Sequence, residues 1–122
     1  MPFIREAALE LILGASRELY PREFIGLLRG EGDLIEEVLL MPASTFGSGF
    51  SSVRRYMLPI DRSVIGSVHS HPSGSKKPSR EDLMSFGKRV GFHLIVGYPA
   101  ESINDIVCYD GYGNRLPLEK KD

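Results

Sequence analysis

The chain has 122 residues, 42% of them hydrophobic, with 15 basic and 16 acidic side chains and a net charge of -1. That length suits one domain, residues 1–122, with a core of its own. The cancelled charge leaves no clustered basic surface for nucleic acid, so Arg54-Arg55 and Lys76-Lys77 read as local surface charge. The single cysteine, Cys108, excludes an intrachain disulfide and any multi-cysteine metal site, and suits a reducing compartment. The N-terminus carries Arg5 and Glu6 and no long apolar run, unlike a signal peptide. No stretch approaches the roughly 20 apolar residues of a membrane span. A soluble, cytoplasmic protein without membrane or nucleic-acid partners is expected.

Along the chain, Ile4, Ala7, Ala8, Leu11, Ile12, Ala15 and Leu19 recur at three- and four-residue steps, which predicts a helix over residues 3–20, stopped by Pro21. The apolar stretch 23–29 and residues 34–41 read as a hairpin around Gly30-Glu31-Gly32-Asp33. Residues 43–52 are small and polar with Phe46 and Phe50 among them, and predict a loop. Strands are expected at 53–60 and 63–70, the second buried. A Pro/Gly/Ser loop follows from Pro72 to Pro78, then a short helix over 79–89. Residues 92–98 form a strong strand pattern. A last hairpin joins 103–109 to 115–118 through a turn rich in Gly, Asp and Asn. The class is α+β: a single twisted, mostly antiparallel sheet flanked by helices.

The chemistry concentrates at Val68-His69-Ser70-His71-Pro72 and at Ser79-Arg80-Glu81-Asp82. Alternate residues of a strand share a face, so His69 and His71 project together and Ser70 points away. Pro72 ends the strand. Ser79 followed three residues later by Asp82 has the pattern of a capped helix start. The intervening loop is long enough to bring Asp82 beside the two imidazoles. Two histidines and one carboxylate leave a fourth position for water, the arrangement of a catalytic rather than a structural zinc. Such a site also needs a carboxylate to move the proton of the attacking water, and spacing alone does not choose it. His93, inside the strand 92–98, reads as structural, and Cys108, with no basic neighbour in sequence, reads as a small strand residue. A helical His-Glu-x-x-His and the Pro-Cys-x-x-Cys of zinc deaminases are both absent.

These residues resemble the JAMM family of metalloproteases, also called MPN+ or JAB1/MPN domains. The family pattern is His-[Ser/Thr]-His-Pro, seven residues after the second His, a Ser, two residues and an Asp. His69-Ser70-His71-Pro72, Ser79 and Asp82 match it without departure. The upstream Glu-x-x-Gly-x-Leu-x-Gly element has its counterpart in Glu23, Gly26, Leu28 and Gly30, with Leu27 filling the position before Leu28. The resemblance spans nearly the whole chain and implies a cytidine-deaminase-like arrangement of sheet and helices. It implies that His69, His71 and Asp82 hold one zinc ion with its water, that Glu23 is the general acid/base, and that Ser79 helps stabilise an oxyanion. It further implies a zinc metallopeptidase acting on the Gly-Gly tail of ubiquitin or a ubiquitin-like, sulfur-carrier-type protein, as small archaeal members do. A non-catalytic MPN-type interaction module is the alternative. The segment His71-Pro72-Ser73-Gly74 is also similar to one in RadC-type proteins, but neither a helix-hairpin-helix region nor a basic face accompanies it. The segment 43–56 falls where the family carries its first insertion, and Phe46 and Phe50 are candidates there for gripping a partner or a second copy in a homodimer.

Overall fold

The computed structural model describes residues 1–42, 63–86 and 91–122. The expected loop with Phe46 and Phe50, the expected strand at 53–60 and the end of the second helix lie outside the described residues. The elements run β1 (Phe3–Ile4), α1 (Glu6–Leu19), β2 (Phe24–Glu31), β3 (Leu34–Pro42), β4 (Val64–His71), α2 (Arg80–Phe86), β5 (Phe92–Gly97), a 3-10 turn (Ile103–Asp105), β6 (Ile106–Tyr109), β7 (Arg115–Leu116) and β8 (Glu119–Lys120).

One sheet runs in the order β7-β6-β5-β4-β2-β3-β1-β8. Pairing is antiparallel for β2 with β3 and β4, and for β6 with β5 and β7. It is parallel for β4 with β5 and for β1 with β3 and β8. The sheet is therefore mixed, and the parallel β4–β5 pair is joined by the crossover that contains α2. Two-residue β1 and β8 are additions to the expected strands. They form because the chain ends lie side by side, with the Lys121 amide donating to the Ile4 carbonyl at 2.9 Å.

The alternation of strand residues gives the sheet two different faces. On one, Phe24, Leu28, Val68, Leu94, Val96, Ile106 and Cys108 pack with Ala8, Leu9, Ile12 and Leu13 of α1 into the main core. The helix is rotated from the expected stripe. Ala8, Leu9, Ile12, Leu13 and Ser16 are buried, whereas Ala7 is exposed and Leu11 is 49% exposed. Both stripes satisfy a helical period, and Leu9 with Leu13 brings more apolar surface to the sheet than Ala7 with Leu11. On the opposite face Ile95, Val107 and Tyr109 form a smaller cluster.

Glycine is required where strands crowd. A Cβ on Gly66 would lie 1.8 Å from the Phe92 carbonyl oxygen, so the tight start of the β4–β5 pair depends on that glycine.

Candidate active site

The site lies at the C-terminal ends of the parallel strands β4 and β5, where open sheets with such crossovers place their ligands. The β2–β4 register pairs Ile25 with His69 and Gly26 with Val68. Extended by two residues, it puts Glu23 opposite His71. Glu23, exposed just before β2, is thus on the face of the two histidines, and its negative charge favours protonated His71. The chain reaches this position under control of Ser70. Its buried hydroxyl points to the other face and accepts the Phe24 amide at 2.8 Å.

Asp82 arrives from α2. Its amide donates to the Ser79 hydroxyl at 3.0 Å, and the Ser79 amide donates to Asp82 Oδ2 at 2.8 Å. This reciprocal capping box satisfies two backbone donors at the helix start. It also fixes the carboxylate, which points at both imidazoles: His69 Nδ1 is 2.9 Å from Oδ1 and His71 Nε2 is 2.9 Å from Oδ2. His71 Nδ1 lies 2.8 Å from the Ser75 carbonyl oxygen. A carbonyl can only accept, so Nδ1 carries the hydrogen and Nε2 is the nitrogen presented to Asp82.

The electrostatics follow from these contacts. Burial works against the Asp82 charge, but hydrogen bonds from His69, His71 and the Ser79 amide outweigh it and hold the carboxyl well below the usual carboxylate range. The Asp82 hydrogen bond raises His71 above its ordinary value of 6.5, with burial opposing and the Ser75 contact assisting. The two shifts agree: each partner favours the charged form of the other.

The structure thus brings together His69, His71, Asp82 and Ser79, with Glu23 at the edge. His93 is elsewhere. It is buried in β5, with Nδ1 2.7 Å from the Ser67 hydroxyl, as expected for a structural histidine. Cys108 is buried among apolar side chains, and desolvation pushes its thiol up to about 12.

The donor set fits a divalent ion of zinc's type: two imidazole nitrogens and a carboxylate on two rigid elements. Among the described residues no group of three or more such side chains already stands ready to hold a metal ion. The same three side chains nevertheless converge, with the Asp82 carboxylate 2.9 Å from one nitrogen of each imidazole. Sequence reasoning placed Ser70 on the face away from the histidines without giving it a role, and passed over Ser75, whose carbonyl orients His71.

A mixed sheet with one helix on each side of a His-x-His strand defines a JAB1/MPN-type fold, and similarity to known proteins agrees. Residues 5–109 match the family of prokaryotic homologs of the JAB domain, and the chain belongs to that family. A JAB1/MPN domain protein from Archaeoglobus fulgidus superposes with a TM-score of 0.76 at 37% identity, over 100% of both chains. A structure described as JAMM, a metalloprotease-like zinc site in the proteasome and signalosome, gives 0.75 at 35% identity, over 100% of this chain and 99% of that one. A probable metalloprotease of Haloferax volcanii is 40% identical over 126 aligned positions, which span 94% of this chain and 76% of the relative.

Proposed function

We propose that this chain is a zinc-dependent hydrolase of peptide or isopeptide bonds, acting at the C-terminal Gly-Gly tail of a ubiquitin-like or sulfur-carrier-type protein. The observation that carries the catalytic part is the convergence of His69, His71 and Asp82, with Nε2 of His71 turned toward the carboxylate by the Ser75 carbonyl. The names of the similar proteins, a probable metalloprotease and a metalloprotease-like zinc site, support the metal and the reaction class. The tail specificity rests on the family resemblance of the Glu23 and His69–Asp82 motifs.

In this reading His69, His71 and Asp82 hold the ion. When bound, zinc supplies Lewis acidity that polarises a carbonyl and brings the pKa of water to about 7. Glu23 takes a proton from the attacking water and returns it to the departing amine, a transfer suited to a solvent-accessible carboxylate. Ser79 accepts the Asp82 amide through its oxygen and keeps its own hydrogen. That hydrogen is directed at the oxyanion formed when water adds to the scissile carbonyl.

The test is cleavage of ubiquitin-like modifiers fused or conjugated through Gly-Gly tails by the zinc-loaded chain, with and without chelator. Cleavage is expected with metal, loss with chelator, and a zinc-retaining but inactive Glu23→Gln variant. A zinc-loaded chain that cuts none of these substrates overturns the substrate assignment, and a fully active Glu23→Gln variant overturns the role of Glu23. The second reading is a non-catalytic interaction module. Such modules usually lack the metal ligands, whereas His69, His71 and Asp82 are all present here. Purified protein that takes up no zinc would decide for the module.

A further inference from the structure

The loop between His71 and Ser79 carries the carbonyl that orients His71, and three contacts hold that loop in place. The His71 carbonyl accepts the amides of Gly74 at 3.0 Å and Tyr98 at 3.3 Å. Gly74 has φ +87°, which only glycine adopts freely, and the loop lies on the end of β5, where a Cβ on Gly97 would stand 2.7 Å from the Gly74 carbonyl oxygen. The third contact comes from β6, two strands away from β4 in the sheet. The Tyr109 hydroxyl donates to the Lys76 carbonyl at 2.6 Å.

We propose that Tyr109 is a positioning residue for the metal ligand His71, acting through the backbone of Ser75 and Lys76. Tyr109 belongs to the sheet face that carries the site, packed beside Ile95 and Val107 and 5% exposed. Ile95 is in register with His69, so the small cluster is continuous with the ligand strand. From there the phenol reaches the loop one residue beyond Ser75. The Ser75 carbonyl accepts from His71 Nδ1, and this contact selects the tautomer and the ring plane that present Nε2 to the site. An imidazole ligand whose second nitrogen is fixed by a hydrogen bond is a better and better-aimed ligand. The unusual feature is that the peptide next to the fixing group is held by a side chain outside the His-x-His and Ser-x-x-Asp motifs. Desolvation raises the Tyr109 phenol above its ordinary value, so it remains a donor at neutral pH.

This inference rests on the metal-binding part of the proposed function, and its test does not need activity. Tyr109→Phe removes one hydroxyl and keeps the ring in its apolar cluster. Zinc affinity, measured by competition with a chromogenic chelator, is expected to fall by about 10-fold, the lower end of what outer ligand-orienting groups contribute. Nitrogen-15 NMR of the metal-free chain reads the His71 ring: the wild type is expected to show a protected Nδ1–H, and Tyr109→Phe to lose that protection. Gly97→Ala presses the same loop from the other side and is expected to lower zinc affinity in the same direction. Tyr112→Phe is the control, because that ring is 68% exposed; its zinc affinity is expected to be that of the wild type. If Tyr109→Phe keeps wild-type affinity and a protected Nδ1–H, the assignment is wrong. If the wild type binds zinc but cleaves nothing, the substrate reading fails and the Tyr109 result still stands. If the wild type takes up no zinc, the catalytic reading fails and the His71 ring signal alone decides the Tyr109 link.

Discussion

At the scale of single residues, His71 and Asp82 set the response of the site to pH. In the metal-free chain His71 has a pKa raised above 6.5 by its contact with Asp82. The stabilisation from that pairing is complete below pH 6.5 and fades as pH rises through the folded value. Asp82, held low, contributes fully above its ordinary 3.8 and loses that contribution progressively as pH falls below it toward the lowered folded value. The metal-free protein is therefore expected to melt at progressively lower temperature above pH 6.5, and zinc to bind more tightly over the same interval, because the ion displaces the His71 proton. Thermal scans with and without zinc from pH 6 to 9 check this; a melting temperature independent of pH in the metal-free chain would contradict it. Ser79 caps α2, and the proposed function gives it a second, separable duty. Ser79→Ala removes the cap, expected to cost about 1 kcal/mol of stability. It also removes the hydroxyl proposed as oxyanion donor, expected to lower kcat by about 100-fold. Urea unfolding and steady-state kinetics measure the two effects separately, and a full-rate Ser79→Ala enzyme would confine Ser79 to the cap.

At the scale of elements, the site depends on how closely β4 sits between β2 and β5. Gly66→Ala puts a methyl group where only 1.8 Å separates it from the Phe92 carbonyl oxygen. The strands must part, and a loss of about 1–3 kcal/mol or more is expected in urea unfolding. Wild-type stability in that variant would show that the pair is looser than described. Most strands were legible in the sequence, because runs such as Phe92–Gly97 are apolar and bounded by glycine. The His-x-His strand and the Ser79–Asp82 box were legible too, since both depend on spacings of two and three residues. Glu23 was not selectable from spacing. Its place opposite His71 arises from pairing between strands almost fifty positions apart, and only the family resemblance pointed to it. The phase of the α1 stripe was missed because two helical stripes compete in one segment. The two-residue β1 and β8 have no period to read. Tyr109 offered no local signal at all; its link to Lys76 exists only once β4, β5 and β6 have assembled.

At the scale of the whole molecule, the sheet separates two tasks. One face and α1 form the main core, and the other carries the metal-type side chains over a small cluster. Cys108 lies in the main core, with its thiol pushed up to about 12 by desolvation. Iodoacetamide at pH 8 is expected to modify it only at the rate of unfolding, and addition of zinc is expected to slow that modification through linkage; rapid labelling of the native chain would mean that the core opens locally. Because β4 alternates between the two faces, Val68 and Ser70 enter one side where His69 and His71 enter the other. A slip of one position would bury the imidazoles beneath α1 and expose the residues that belong there. If the proposed site holds an ion, only chains whose central strand has threaded correctly would retain it, so metal uptake would also report the register of β4.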